Sequence, residues 1–242
     1  MDPTARNSYY IDKNSPIPES VQSFLNAAQA KLPFLSYMLS PKVDQWGRTT
    51  GKKDVLVRAF ENFLSPGYIS TRNETPVDRE IAAVYKETGD SSILPRTADK
   101  SFQVDGETNR LSAKEYAEYA RERGERSYRY INELLSMPEY KALDPDEKAE
   151  VIAQMYQAAN AEAKKEVDSD YDLPATVIKA YEANKQAGIL YGDYYLWKLS
   201  LDSSPNQQEV IDALNSMSSL SRSQKRFLFS QRFPNSKQKP FG

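Results

Sequence analysis

Residues 111–167 read LSAKEYAEYARERGERSYRYINELLSMPEYKALDPDEKAEVIAQMYQAANAEAKKEV. Two helix starts stand out. Ser112-Ala-Lys-Glu115 is a capping box: the serine hydroxyl accepts from the Glu115 amide and the glutamate reaches back to the Ser112 amide. Leu111 and Tyr116 are placed as its hydrophobic staple. Asp144-Pro-Asp-Glu147 opens a second helix. The first helix is expected to run to about Met137, with Tyr116, Ala120, Ser127, Ile131 and Leu134/Leu135 as its stripe. The second runs over 145–167, with Ile152, Met155/Tyr156, Ala159, Ala163 and Val167 on one face. Its small alanines, with Gly124 near the opposite stripe, favour close helix contact. The short link 138–143 makes the pair an antiparallel hairpin.

Working outward, Phe102-Gln-Val-Asp-Gly-Glu-Thr-Asn-Arg-Leu111 places Asp105-Gly106 between two short alternating runs. That is a β-hairpin signal, and two strands alone are marginal, so the hairpin must lie on helices. Upstream, Thr75-Pro76-Val77-Asp78 starts a helix that ends at Gly89. Shorter helices are expected at Ser20–Leu32 and Lys52–Leu64, around an aromatic cluster of Phe34, Tyr37 and Trp46. Downstream, helices follow at Pro174–Ala187, stopped by Gly188, then at Leu190–Leu201, Gln207–Met217 and Ser221–Phe233. Leu143-Asp-Pro-Asp-Glu-Lys148 and Leu220-Ser-Arg-Ser-Gln-Lys225 share a helix-start pattern, read as reused capping chemistry rather than a repeat. The fold class is mainly α: an irregular multi-helix bundle with a long antiparallel helical hairpin and one small β-hairpin. Its expected divisions are an extended lead-in (1–18), an N-terminal helical subdomain (19–100), the β-hairpin with the central helical hairpin (101–190), short C-terminal helices (191–233) and a flexible basic tail (234–242).

Composition narrows the chemistry. The chain has 242 residues, 32 Lys+Arg, 34 Asp+Glu, and neither Cys nor His. Its apolar share of 39% becomes about 36% once Tyr is removed and Gly added, below the 45–50% usual for soluble domains. With a mean hydropathy of −0.71, the core must be thin for the length. Without Cys there is no disulfide, thiolate nucleophile or zinc–thiolate site; without His there is no Ser-His-Asp triad and no HExxH zinc site. Carboxylates, Lys, Tyr and oxygen-ligated cations remain for any chemistry. No apolar stretch approaches the 18 or so residues of a membrane span. The N-terminus has no basic-then-apolar pattern arguing for secretion by a cleaved peptide.

Candidate motifs meet plainer explanations. Gly47-Arg-Thr-Thr-Gly51-Lys52-Lys53 has three residues between its glycines where a phosphate loop needs four, and Lys53 where Ser or Thr belongs; a polar turn fits better. Asp168-Ser-Asp170-Tyr-Asp172 opens like a calcium loop, but Leu173 and Lys179 stand where Gly and Glu are required, so an acidic linker is expected. Asp44 and Glu133 could serve in a carboxylate pair, though caps and solvated faces explain them as well. No catalytic residue, metal ligand or cofactor site is assigned.

Two features point to contacts instead. Residues 221–242 carry Arg222, Lys225, Arg226, Arg232, Lys237 and Lys239 and no acid, leaving −8 on the remaining residues. Phe227, Phe229, Phe233 and Phe241 are interleaved. This segment could meet nucleic acid, anionic lipid or an acidic partner. The preferred alternative docks 221–233 on the acidic stretch 139–172 of the same chain, burying Phe227 and Leu228 with Arg222 and Arg226 near the acids, and leaves 234–242 to a partner. The second feature is Tyr191, Tyr194, Tyr195 and Trp197, residue types that suit interfaces or, equally, the margin of a core.

Several segments form a familiar ordered series: Leu32-Pro-Phe-Leu-Ser with Pro41-Lys-Val-Asp-Gln-Trp46-Gly-Arg48; Asn62-Phe-Leu-Ser-Pro-Gly-Tyr-Ile-Ser70; Pro76-Val-Asp-Arg-Glu with Tyr85-Lys-Glu-Thr-Gly-Asp and Leu94-Pro95; Phe102 to Tyr116; and Leu220-Ser-Arg-Ser-Gln-Lys225 with Lys239-Pro-Phe-Gly242. Together they resemble the C-terminal region of bacteriophage and prophage tail tape-measure-like large polyvalent proteins. The resemblance spans most of residues 30–242. It implies a non-catalytic structural or assembly module acting by protein–protein contacts, placed in the phage tail or virion interior after assembly in the host cytoplasm. Other tail or virion proteins are the implied partners, with self-association and nucleic acid at the basic tail also open. No active site comes with it, since none of its motifs is catalytic. The chain lacks the long upstream coil, so a length-measuring role is not carried over. The alternatives are a carboxylate-based cell-wall glycosidase carried by a tail protein, or an ejection protein touching nucleic acid through its basic C-terminus.

Overall fold

The computed structural model describes Trp46 and residues 75–96, 98–201 and 206–242. The helices expected at 20–32 and 52–64, the lead-in 1–18, Asp44, the cluster at Phe34 and Tyr37 and the turn 47–53 lie outside the described residues. Trp46 is buried. The architecture is mainly α with one two-stranded sheet. In chain order the elements are α1 (Pro76–Thr88), a 3₁₀ turn (Ser91–Ile93), β1 (Ser101–Val104), β2 (Glu107–Arg110), α2 (Ala113–Leu134), α3 (Pro138–Lys141), α4 (Pro145–Val167), α5 (Ala175–Ala187), α6 (Tyr191–Leu199), α7 (Gln207–Ser216) and α8 (Arg222–Arg232). The described residues fall into two compact units. Both long helices contribute to each, α2 dividing after Arg126 and α4 after Ala161.

Local chemistry sets most boundaries. The Ser112 amide donates to Glu115 Oε2 at 2.8 Å and the Glu115 amide to Ser112 Oγ at 3.4 Å. Hydrogen bonding of the Glu115 carboxyl with the Ser112 amide, and then with the Ser112 side chain, holds it below its ordinary pKa. Asp144 and Glu147 exchange the same two bonds at the start of α4, at 3.1 and 2.9 Å. The end of α2 differs from expectation. It stops at Leu134, not Met137, because Pro138 forces Met137 into an extended conformation (φ −78°, ψ 125°). The chain tightens, with the Met137 amide donating to the Leu134 carbonyl at 3.0 Å. Pro138 then opens the single turn α3 inside what reads as a plain link. Gly188 takes the left-handed conformation (φ +65°) that ends α5.

In the first unit, β1 and β2 pair antiparallel with Val104 opposite Glu107. Asp105 (φ +51°) and Gly106 (φ +82°) make the two-residue turn, both left-handed as a primed hairpin turn requires. The hairpin packs through Phe102, which lies 6.0 Å from the Tyr119 ring and 5.4 Å edge-on from Tyr171. Phe102, Leu111, Tyr119 of α2 and Ala163 of α4 form one buried cluster. Lys164 lies over Phe102 at 5.3 Å and over Tyr171 at 5.5 Å; burial lowers its pKa. Beside this cluster, Arg126 of α2 reaches the buried Glu162 of α4 at 3.0 Å and Glu166 at 3.3 Å.

In the second unit, Ile131, Leu134, Ile152 and Met155 are fully buried, and α1 contributes Val77, Ile81 and Val84. The Tyr140 hydroxyl donates to Glu80 at 2.9 Å, and Lys148 lies 3.7 Å from the same carboxylate. The helix α6 reaches the surface at Lys198, and its residues 191–197 are all buried. Gly192 makes that possible: a Cβ there would lie 2.8 Å from Met137 Sδ. Among the described residues no helix is long and apolar enough to cross a membrane.

Candidate interaction surface

The basic residues singled out in the sequence sit on α8 and the chain that follows it. Ser221 caps α8 in a box with Gln224. Leu228 and Phe229 anchor the helix against its unit, at 1% and 3% exposure, while Phe227 is only half-buried. The buried pair is therefore one residue along from the expected Phe227 and Leu228. The helix packs on α5 and α7. Gln224 Nε2 donates to the carbonyls of Ala187 and Gly188, at 3.2 and 3.1 Å, tying α8 to the orphan acceptors that end α5.

The cations do not do what the docking expectation assigned them. Lys225 Nζ donates to the Asn215 carbonyl at 3.3 Å and Arg226 Nη2 to the Phe241 carbonyl at 2.7 Å. Among the described residues none of Arg222, Lys225, Arg226, Arg232, Lys237 and Lys239 forms a salt bridge. Docking rests on apolar burial and amide bonds, because a long cation near the surface gains little from an acid and loses side-chain freedom. The segment 234–242, expected to be flexible and open to a partner, makes hydrogen bonds within its unit. Ser236 Oγ donates to Gln207 Oε1 at 2.9 Å, and Arg226 holds the Phe241 carbonyl. The outcome is a basic surface fixed on a helical base.

The aromatic candidates sit elsewhere. Tyr191, Tyr194, Tyr195 and Trp197 are all buried. Tyr191 stacks on Tyr130 at 4.7 Å, Tyr194 meets Tyr195 edge-on at 5.5 Å and Trp197 at 5.8 Å, and the Tyr195 hydroxyl donates to the Thr176 carbonyl at 3.3 Å. Burial raises the pKa of the Tyr194 hydroxyl.

One acidic feature escaped the sequence reading. Asp193, at 3% exposure inside α6, accepts a short hydrogen bond from Ser219 Oγ, and Glu139 Oε1 accepts from the Ser218 amide at 3.2 Å. Two carboxylates from different helices thus pin the turn between α7 and α8. Burial raises the Asp193 pKa, the Ser219 bond opposes that, and the Glu139 charge adds to it. Burial also raises Glu133, with the Asp193 charge adding to it against Arg129. The signal was present in Tyr191-Gly-Asp-Tyr-Tyr-Leu-Trp197: one acid amid aromatic residues must be buried with a partner.

The acidic stretch 168–172 is a capped turn. Asp168 Oδ1 accepts from the Asp170 amide at 3.0 Å and Oδ2 from Asn109 Nδ2 at 2.6 Å. Among the described residues no group of three or more acids could hold a metal ion. No family model, curated protein or solved structure matches this chain.

Proposed function

We propose that the chain is a non-catalytic helical module of a bacteriophage particle, acting in assembly or ejection through contacts with other tail or virion proteins. The observation that carries the contact role is the acid-free segment 221–242. Among the described residues its six cations form no salt bridge, on an element held in place by Leu228 and Phe229. A fixed basic surface favours an acidic protein partner, since charge complementarity steers encounter and sets orientation. The placement in a phage particle rests on the ordered series of segments that resembles tape-measure-like proteins. Mass spectrometry of particles purified from the induced source culture tests it. Peptides from 75–242 should be recovered, and cross-links from Lys225, Lys237 and Lys239 should reach other virion proteins. Particles free of this chain would refute the placement. Particles containing it without any cross-link from those lysines would refute the basic surface as the contact.

A further inference from the structure

Beside α8 lies a cavity of about 310 Å³, with Trp197, Tyr194 and Leu228 in its lining and Lys179, Lys198 and Arg232 at its rim. The lining side chains come from α5, α6 and α8 of one unit, together with Leu201 just after α6. The three cations are exposed, and none is in a salt bridge among the described residues. Among the described residues Glu182 is the single acid in the lining. Among the described residues the buried Trp197 indole N–H has no acceptor. Its volume lies at the small end of ligand pockets, enough for one large apolar side chain rather than an extended ligand.

We propose that this cavity receives an acidic segment of a partner protein, with one large apolar side chain in the cavity and flanking carboxylates on Lys179, Lys198 and Arg232. The inference rests on the contact role proposed above and names the partner's chemistry. Charge complementarity argues for the flanks, since three exposed cations, in no salt bridge among the described residues, line the cavity with apolar side chains. Two details favour a peptide over nucleic acid. Base stacking needs an exposed ring face, and Tyr194 and Trp197 are 7% and 6% exposed, packed edge-on against each other. Glu182 repels a continuous phosphate backbone but accepts from a peptide amide.

The test uses the full chain on an array of capped hexapeptides, with every apolar residue at the centre and Asp/Glu, Ser or Lys flanks. Acidic-flanked peptides centred on Leu, Ile, Phe or Trp should bind at least tenfold better than their Ser-flanked forms. In solution, fluorescence anisotropy of the best peptide should show at least fivefold weaker binding for Lys179→Glu and for Arg232→Glu. Lys185→Glu, on α5 but outside the lining, should stay within twofold of wild type. Equal binding of Ser-flanked and acidic peptides overturns the proposal. So does an equal loss in Lys185→Glu, which would assign binding to general surface charge. Tighter binding of a twelve-residue oligodeoxythymidine that displaces the peptide would give the cavity to nucleic acid instead. A failed array with the chain present in particles removes only the cavity; a positive array with the chain absent from particles removes only the virion placement.

Discussion

Replacing Arg126 by alanine should be among the most damaging single changes in the first unit, and a second substitution should partly repair it. Arg126 lies 3.0 Å from Glu162, whose side chain is 7% exposed, and 3.3 and 3.5 Å from Glu166 and Glu122. At an effective dielectric constant of ~20, two unit charges 3 Å apart attract by about 5–6 kcal/mol before desolvation is counted. Removing one partner of a buried pair costs about 3–5 kcal/mol, because the other charge stays buried and unmatched. Arg126 is itself 21% exposed. Water can enter after truncation, so about 2–4 kcal/mol is the expected loss for Arg126→Ala. Glu162→Gln keeps an acceptor of the same shape and leaves Arg126 its two other carboxylates, so about 1 kcal/mol is expected. The double variant Arg126→Ala/Glu162→Gln should then be more stable than Arg126→Ala alone, since the buried charge that faced Arg126 is gone. Urea unfolding followed by far-ultraviolet circular dichroism at pH 7 gives all three values. A double variant less stable than Arg126→Ala, or equal losses for the two single changes, would refute the buried-charge reasoning.

Further outcomes follow from the second unit. Asp193 has a raised pKa, so the folded state holds its proton to higher pH than the unfolded chain. Stability falls as pH climbs from the ordinary Asp range through the raised value, then levels. Asp193→Asn keeps an acceptor for Ser219 and removes that loss, so its melting temperature relative to wild type should increase between pH 4 and pH 7; a difference that shrinks over that range would refute it. Ile131 and Ile152 are fully buried, and changing either to Asp should lower stability by about 3 kcal/mol or more in urea unfolding, because each introduces an unpaired buried charge; wild-type melts for both would refute their place in the core. Deleting 221–242 removes Leu228 and Phe229, whose burial contributes about 1.5–3 kcal/mol each, and should raise the fluorescence of an apolar-surface dye; an unchanged melt with no added dye binding would refute docking of α8.

What the sequence made legible is what is decided within a few residues. Ser112 with Glu115 and Asp144 with Glu147 announce the long helices because a cap is a contact between residues three apart. Asp105-Gly106 announces its hairpin because few residues tolerate two left-handed conformations in succession. The end of α2 was misplaced by the same locality. Leu134, Leu135 and Met137 continue an apolar pattern, while Pro138 acts backward on Met137 and ends the helix earlier. The stripe of α2 omitted Tyr119 and Tyr130, which are buried at 0% and 6% exposure. A tyrosine can lie in a core or at its margin, and only a neighbour such as Phe102 or Tyr191 decides. Arg126 and Glu162 are 36 residues apart, and both are common on solvated helix faces. The orientation of the aromatic residues of α6 was open for the same reason, until burial of all of 191–197 closed it.

The charges acquire a pattern once inside and outside are separated. Five acids are held by donors within their own unit: Glu80 by Tyr140, Glu139 by the Ser218 amide, Glu162 by Arg126, Asp168 by Asn109 and Asp193 by Ser219. Three of these bonds come from neutral side-chain donors and one from a backbone amide, so these acids do not draw on the basic residues of 221–242. The basic segment in turn contacts carbonyls, through Lys225 and Arg226, and is seated by apolar side chains. Seating by Leu228 and Phe229 is insensitive to salt at the level where exposed charge attraction is screened within about 8–10 Å. The element is therefore held in place by one kind of force and left free to attract by another. That separation lets a basic surface stay fixed in an acidic chain without a salt bridge to any described acid of its own unit.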